Sequence, residues 1–316
     1  MPTPRFTEYI TSPLLPRGIL ILTYHEVLPD NAGVDAWTVV RESDFVRQIE
    51  SLRRWCAIIS LDEALALGPA GRARARAAVI TLDDGYAGAR TTVLPIAEAL
   101  GVPFTVFIAT QAVESGAPYW FDRVICALLR DGGVTVDLSG CGLDCYRIPG
   151  GSRAQHRWGL VQRVLEDLKG LSPSLRAIGV RLIENQTQGP ACFILRPLSV
   201  EDVGALSRSR YVTIGAHSHC HSRLVQLGAH DLERTLKTSR DLLEQWTGRP
   251  VRHFAYPNGD YDARVIAAVR SMGFDTGLTV RPGRWRDQDA MEVPRLGVGR
   301  YDSAAKFRRR TWGLPR

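Results

Sequence analysis

Long hydrophobic runs are missing from this sequence. The apolar stretch GILILT, which begins at residue 18, has only the length of a strand, and no segment approaches the ~18 to 20 apolar residues of a membrane-spanning helix. The residues before it carry an acid and several prolines, which interrupt the apolar region that a secretion signal needs. We therefore expect a cytoplasmic protein, with peripheral attachment to the inner membrane left open.

Paired cysteines are missing as well. The six cysteines form no C-x-x-C pair and lack the spacing of a zinc ribbon. They predict isolated, reduced thiols, as is usual inside cells. The cysteines concerned are Cys56, Cys126, Cys141, Cys145, Cys192 and Cys220.

Positive charge is abundant and comes more from arginine than from lysine. The formal net charge is +7 and the isoelectric point is near 9.3. Basic clusters at 71–77 and 306–316 suggest an anionic surface or substrate, although solvated surface faces are the commoner explanation. No nucleic-acid-binding motif accompanies them, so we expect no nucleic-acid partner; the tail at Arg308, Arg309 and Arg310 makes contact with an anionic membrane surface a separate expectation.

Short apolar runs alternate with stretches of helical periodicity. Such alternation favours parallel strands joined by crossover helices, and seven or eight units predict an α/β barrel. Ser43 is the predicted N-cap of the first long helix, and Gly248 is the predicted end of the helix that begins near residue 229. The predicted strands begin at Gly18, Cys56, Ala77, Val102, Tyr211, Val251, Asp275 and Met291.

One region interrupts this alternation. Residues 119–197 contain helical stretches and a patch rich in glycine and cysteine, SGCGLDCYRIPGG, but no clear strand–helix repeat. We interpret them as a largely helical insertion on the active face of the barrel, where loops grow and set substrate choice. The expected organisation is one domain over 1–316, with a core at about 18–298 and a basic tail at 303–316.

Polar residues follow the predicted strands at their carboxyl ends. In parallel barrels these ends gather at one face, which is where functional groups are found. We therefore expect a site at this face. The residues concerned are Tyr24, His25 and Glu26, then Asp83 and Asp84, then His217, His219 and His221, then Tyr256 and Asn258, and finally Arg295.

The segment HSHCH predicts a metal site. Two imidazoles at i and i+4 share one face of a helical turn, so His217 and His221 are the favoured ligands, with Asp84 as an oxygen ligand. Three protein ligands leave a position open for water, as catalytic sites require. His219 points away in a helical turn, but in an extended segment all three histidines share a face, and this alternative stays open.

The two adjacent acids of TLDDGY have different predicted roles. A cation bound by Asp84 would offset the repulsion between two neighbouring carboxylates. Asp83 would then be free to act as a general base toward a water that the metal activates. Taken alone, Asp-Gly is also a common turn signal.

These two motifs resemble those of the NodB-homology polysaccharide deacetylases, carbohydrate esterase family 4. TLDDGY resembles the first motif of the family and HSHCH the second, and the resemblance runs from about Gly18 to Val298 without the insertion. It implies a distorted (β/α)7-8 barrel that removes acetyl groups from N-acetylated sugars. It also implies Asp83 as the catalytic base, with Asp84, His217 and His221 as ligands of a divalent metal, commonly Zn²⁺.

The sequence departs from this family at two places. FAYPNG has Ala255 where the family has an arginine, and Asn258 where it has a tyrosine. The late histidine that serves the family as catalytic acid is missing from the last predicted strand, VPRLGV. Other residues must therefore carry these roles if the chain is an enzyme.

Candidates for the missing roles come from the strand ends. LTYHEV resembles the first strand of a branch of the family that includes poly-N-acetylglucosamine deacetylases, which makes His25 the candidate acid. Arg295 is the candidate for keeping Asp83 ionised. Asn258, with its backbone N–H, and Tyr256 and Tyr86 form the predicted oxyanion- or substrate-binding group; Asp275 is a candidate for orienting Arg295.

The expected function is thus a metal-dependent N-deacetylase acting on a polysaccharide, lipopolysaccharide or lipid-linked glycan precursor. Aromatic residues of the insertion are candidates for stacking on sugar rings, although core packing is their commoner use. The alternatives are a metal-independent cyclic-amide hydrolase with the same barrel and a glycan-binding module with a degenerate site. The aromatic residues are Tyr119, Trp120, Phe121 and Trp158.

Overall fold

The strands and helices of the chain are taken from a computed structural model that describes residues 16–130, 132–151, 153–187 and 195–313. Its strands are β1 (Gly18–Tyr24), β2 (Glu26–Leu28), β3 (Val39–Arg41), β4 (Ala57–Ile58), β5 (Arg76–Leu82), β6 (Phe104–Ile108), β7 (Gly133–Asp137), β8 (Cys145–Pro149), β9 (Val212–Ala216), β10 (His253–Ala255), β11 (Thr276–Leu278) and β12 (Leu296–Gly297). Its α-helices are α1 (Glu42–Arg53), α2 (Leu61–Ala66), α3 (Gly68–Arg74), α4 (Leu94–Leu100), α5 (Thr110–Ser115), α6 (Trp120–Leu128), α7 (Ala154–Gly170), α8 (Pro173–Thr187), α9 (Val200–Arg208), α10 (Ala229–Thr247), α11 (Ala263–Ser271) and α12 (Ala304–Thr311).

One curved parallel sheet forms the centre of the fold. Its strand order is β11-β10-β9-β6-β5-β1-β12, and β4 pairs in parallel with the first half of β5. Each of the eight strands predicted from apolar runs contributes a strand to this sheet. The predicted α/β barrel fold is therefore confirmed.

The two edges of the sheet are joined through the segment that precedes and includes β12. On one side Val293 bridges Leu278 of β11, and the Thr279 N–H donates to the Val293 carbonyl at 2.9 Å. On the other side Leu296 pairs with Leu22 of β1. One short segment thus contacts both the first and the last strand of the sheet and closes the barrel.

Of the two helix ends predicted from the sequence, one is confirmed and the other is wrong. Helix α10 ends at Gly248, as predicted, with a φ of 66° that favours glycine. Helix α1 begins at Glu42, so Ser43 lies inside it and is not its N-cap. The chain enters α1 directly from β3, and the Ser43 N–H is bound by the Asp30 carboxylate, which removes the need for a capping serine.

The apolar residues form two layers around the sheet. Inside the barrel, Ile19 and Ile21 of β1 pack with the aromatic rings of Phe107 and Trp285 and with small or branched aliphatic side chains. The alternate residues, such as Leu20 and Leu22, face outward and pack under the helices. This alternation is what a strand imposes, and it places the end of each strand at the mouth of the barrel.

The region 119–197 contains a feature that the sequence did not reveal. Besides α6, α7 and α8, it holds an antiparallel hairpin of β7 and β8, in which Val136 pairs with Tyr146. The hairpin and the three helices share an apolar cluster that also reaches Tyr86 and Ala109 of the barrel. In the described part of the chain no disulfide joins the cysteines, and no helix is long and apolar enough to cross a membrane.

A buried carboxyl group supports the turn after β5. Glu26 is 1% exposed and accepts hydrogen bonds from the N–H groups of Val27 and Gly88, at 2.8 and 3.3 Å. A Cβ on Gly88 would lie 1.8 Å from the Glu26 Oε1 atom, so this approach requires glycine. Burial raises the pKa of Glu26 to about 8, and the two N–H groups offset only part of that effect.

We predict that replacing Glu26 with glutamine changes how stability depends on pH. The pKa of Glu26 is raised on folding. The stability that the buried, neutral carboxyl group contributes is therefore fully present below the unfolded pKa, and it is lost as the pH rises toward 8. Relative to the Glu26→Gln variant, the wild type should lose roughly 2 to 4 kcal/mol of unfolding free energy between pH 5 and 8. Urea unfolding at both pH values measures this, with exposed Glu50→Gln as the control; equal pH dependence in wild type and variant would contradict the burial effect.

Candidate functional site

Three predicted metal ligands meet at the mouth of the barrel. Asp84 follows β5, and His217 and His221 follow β9. The Asp84 Oδ1 atom lies 3.0 Å from the His221 Nε2 atom and 3.4 Å from the His217 Nε2 atom. One ligand atom from each of the three residues lies within 4.8 Å of the others, a separation that one cation can span.

The loop that carries the histidines is neither a helical turn nor an extended segment, which corrects both geometries considered from the sequence. Ser218 and His221 have positive φ angles of 62° and 51°. His217 and His221 consequently face each other, with ring centroids 5.0 Å apart. His219 turns away, and its Nδ1 atom lies 2.9 Å from the Thr110 hydroxyl.

Backbone strain is concentrated at this site. Among the described residues, the non-glycine residues with positive φ are Asp84, Ser218, His221 and Asn258, and each lies in or beside the site. Such conformations cost about 1 to 3 kcal/mol each and persist only where surrounding contacts hold them. The Tyr119 hydroxyl supplies one such contact by donating to the Asp84 carbonyl.

The donor set suits a divalent cation. The His217 Nδ1 atom is bound to the Ala255 carbonyl at 2.7 Å, which leaves its Nε2 atom for a ligand. The Asp84 Oδ1 atom is buried and receives no well-directed hydrogen bond from the described residues. Burial alone would raise the pKa of Asp84, but His221 and His217 hold it well below its usual value. Two imidazoles and one ionised carboxylate are a ligand set that zinc accepts.

Asp83 forms a bidentate ion pair with Arg295. The Arg295 Nη1 and Nη2 atoms donate to the two Asp83 carboxylate oxygens at 2.7 Å each, and its Nε atom donates to the Thr279 carbonyl at 2.8 Å. Arg295 is fully buried and Asp83 is 4% exposed. Burial would raise the pKa of Asp83, but the Arg295 guanidinium, together with His217 and His25, lowers it.

The position of Arg295 relative to the last strand differs from the prediction. Arg295 lies immediately before β12 and not at its end, because β12 is only two residues long. Its side chain crosses the barrel interior to reach the end of β5. Ala255 is fully buried in that interior. Asp275 takes no part, since it pairs with Arg252.

His25 and Asn258 both line the cavity above the three ligands. The His25 Nδ1 atom is buried without a partner among the described residues, and its ring meets Trp37 edge-on at 5.9 Å. Burial lowers the pKa of His25, against the opposing effect of Asp84 and Asp83.

The two predicted tyrosines have different positions. Tyr256 borders the cavity, but its hydroxyl donates to the Met291 carbonyl and it is fully buried. The Tyr86 hydroxyl donates to both oxygens of the buried Asp122 carboxyl, and Tyr86 is not among the residues that line the cavity. Tyr86 therefore contacts the insertion and not the space where a substrate would lie.

Sequence reasoning missed the residues that support the ligand loops from the insertion. The rings of Tyr119 and Phe121 pack on the His221 ring, with centroids 5.7 and 5.3 Å away. The sequence suggests sugar stacking or core packing for these aromatics, but not a contact with a metal ligand. Their position in the sequence could have indicated this contact. The run YWFD is at the start of the insertion, and the insertion begins beside the mouth of the barrel.

A cavity of about 840 Å³ opens over the site. Its floor is formed by the ligands together with Asp83, Arg295 and His25. Arg223, Asp260 and Val280 also line it, as do residues of α7 in the insertion and of α12. Lys306 and Arg310 of the predicted basic tail line this cavity and pair with Asp302, with their side chains 40% and 30% exposed.

The comparison with protein families matches a region of this chain. The family described as polysaccharide deacetylase matches residues 181–277, which include the second motif but not the first. No curated protein matches the sequence.

Solved structures share the fold at low sequence identity. A polysaccharide deacetylase from Bacillus cereus is 14% identical, with a TM-score of 0.59, and the match covers 93% of this chain and 69% of that one. IcaB from Ammonifex degensii is 17% identical, with a TM-score of 0.59 and coverage of 95% and 99%. The BpsB deacetylase domain from Bordetella bronchiseptica is 17% identical, with a TM-score of 0.54 and coverage of 89% and 95%.

The family match and the shared fold agree with the resemblance drawn from the two motifs. The sequence match covers less than half of the chain, and the solved structures show the fold. The chain therefore resembles the polysaccharide deacetylases in the sequence of residues 181–277 and in its fold.

Proposed function

We propose that this protein is a metal-dependent hydrolase that removes the N-acetyl group from an N-acetylated sugar of a glycan. One observation carries the proposal: the ligand atoms of Asp84, His217 and His221 converge on the floor of a cavity, directly beside the ionised Asp83. A carboxylate that stays outside a ligand set but next to it is what general-base catalysis of hydrolysis needs.

The residues of the site have distinct tasks in this proposal. Arg295 keeps Asp83 ionised and fixes its orientation, and Asp83 takes a proton from the attacking water. The Asn258 N–H donates to the oxygen of the acetamide carbonyl as negative charge develops there. The carbon–nitrogen bond then breaks, and His25 acts as the acid by passing to the departing amine the proton that Asp83 took from the water. A divalent cation, most simply Zn²⁺, would supply Lewis acidity at this position when bound.

The two alternative functions fit these features less well. A metal-independent cyclic-amide hydrolase would not need two imidazoles and a carboxylate directed at one point. A glycan-binding module with a degenerate site would not need a strained backbone at its ligands or a buried carboxylate beside them. Acetate release from N-acetylated glycans separates the proposed function from both.

The biological setting is a proposal drawn from the sequence. Surface-polysaccharide, lipopolysaccharide or lipid-linked precursor biosynthesis would each supply an N-acetylated glycan. A cytoplasmic location and contact with an anionic membrane surface stay predictions.

We predict that Asp83→Asn abolishes acetate release and leaves the metal content unchanged. The amide cannot take a proton from water, and Asp83 is not among the three converging ligands. Acetate release from an N-acetylglucosamine oligomer and the bound metal per chain should be measured on the same preparation. Near-wild-type turnover would remove Asp83 from the role of base.

We predict that metal binding depends on His221 and not on the neighbouring His219. His221→Ala should lower zinc affinity by at least tenfold, because it removes one of three ligands, whereas His219→Ala should retain wild-type stoichiometry because its ring faces Thr110. Zinc titration of chelator-treated protein measures both. Equal losses in the two variants would contradict the ligand assignment.

A further inference from the structure

Four arginines lie around the first residue of β1. Because the strands of the sheet are parallel, this residue is at the end of the barrel opposite the mouth. The Arg284 side chain donates to the Gly18 carbonyl at 3.1 Å. The Arg286 side chain donates to the Arg17 carbonyl at 3.0 Å. Arg74 ends α3, and the carbonyl of the next residue accepts the Gly18 N–H at 2.8 Å. We call these four residues the arginine patch: Arg17, Arg74, Arg284 and Arg286.

The arginine patch is not neutralised by carboxylates. In the part of the chain that the structure describes, no ion pair includes one of its four arginines, and the exposed Asp287 beside the patch forms none. Arginines elsewhere at this end of the barrel do have acidic partners, since Arg252 pairs with Asp275 at 2.5 Å and Arg270 with Asp289 at 2.7 Å. The patch is therefore a concentration of positive charge next to a balanced surface.

Backbone carbonyls and aromatic rings hold the patch in place. The Arg284 guanidinium lies 5.6 Å from the centre of the Trp55 ring. Below the patch, the buried Arg72 donates to the Arg286 carbonyl at 3.1 Å and lies 3.9 Å from the centre of the Trp285 ring. Burial lowers the pKa of Arg284 to about 10, and Arg286 acts in the same direction, so Arg284 stays charged at neutral pH. These contacts fix the cations without cancelling their charge, and an external anion would offset their mutual repulsion.

The end of helix α12 extends this surface with an exposed tryptophan. The Thr311 carbonyl accepts a hydrogen bond from Arg284. Trp312, the next residue, is 38% exposed, and Arg308 and Arg309 in the last turn of α12 are exposed as well. Tryptophan side chains favour the headgroup region of a bilayer, and arginines close to the surface are attracted by anionic headgroups. This combination distinguishes the surface from one that binds a polyanion by charge alone.

We propose that the arginine patch, together with Trp312, docks this protein on a bilayer that contains anionic lipids. The sequence suggests such a contact for the C-terminal tail alone, whereas the structure joins the end of α12 to arginines from three other segments of the chain. Strand β1 has seven residues and is about 23 Å long, and it separates the patch from the mouth. The docked protein therefore leaves its mouth accessible from the side that faces away from the bilayer.

The test compares two double variants that each remove two positive charges. Arg17→Gln with Arg74→Gln changes the patch, and both side chains are exposed, so the fold should be retained. Arg147→Gln with Arg181→Gln is the matched control, because it removes the same charge from exposed positions of the insertion that do not line the cavity. Thermal unfolding of the full chain checks that both variants melt near the wild-type temperature. The probes are phosphatidylcholine vesicles with and without phosphatidylglycerol.

We expect wild type and the control variant to sediment with vesicles that contain phosphatidylglycerol and not with pure phosphatidylcholine. The patch variant should bind the anionic vesicles at least about tenfold more weakly, because each arginine near such a surface adds to the attraction. Added salt should weaken the binding of wild type.

Equal vesicle binding by the two double variants, or no preference of wild type for anionic vesicles, would overturn the proposal. Wild type that binds heparin or duplex DNA but no vesicles would also contradict it, since the patch would then serve another polyanion. Vesicle binding needs neither a metal nor acetate release, so this test is independent of the proposed deacetylase function.

Discussion

The ion pair between Asp83 and Arg295 is the interaction on which the site depends. It joins the end of β5 to the short segment that closes the barrel, and both partners are buried. Removing one partner of such a pair typically costs 3 to 5 kcal/mol, because the other charge is left without compensation. The pair thus couples closure of the sheet to the ionisation of the proposed base.

The same interaction explains how two adjacent acids can end a buried strand. Asp83 is balanced by Arg295, and Asp84 is turned the opposite way by its positive φ angle toward the two imidazoles. Each carboxylate then has its own cationic or metal-binding environment. Their proximity no longer forces one of them to be protonated.

Strain at the ligands is offset by contacts from the insertion. Tyr119 binds the Asp84 carbonyl, and its ring and that of Phe121 pack on His221. Tyr86 reaches from the barrel to Asp122 at the start of α6. The insertion therefore contributes to the geometry of the ligands at its beginning and, through α7, to the shape of the cavity farther along the chain.

The sequence predicted most of the barrel and the residues that the structure brings to its mouth, for definite reasons. Parallel strands buried on both faces are continuous apolar runs, so all eight were visible, and their carboxyl ends identified Asp83, Asp84 and His217. The hairpin of β7 and β8 was missed because its glycines and exposed residues hide the alternation. The conformation of the loop from His217 to His221 could not be predicted. It depends on residues with positive φ angles, and no pattern of side chains in the sequence indicates those angles.

A double-mutant cycle between Asp83 and Arg295 tests the central claim most directly. The unfolding free energies of wild type, Asp83→Asn, Arg295→Met and the double variant would be measured by urea titration. If the pair couples the closing segment to β5, the two substitutions should be non-additive by about 3 kcal/mol, because each alone strands a buried charge or polar group. Additivity within about 0.5 kcal/mol would contradict the account.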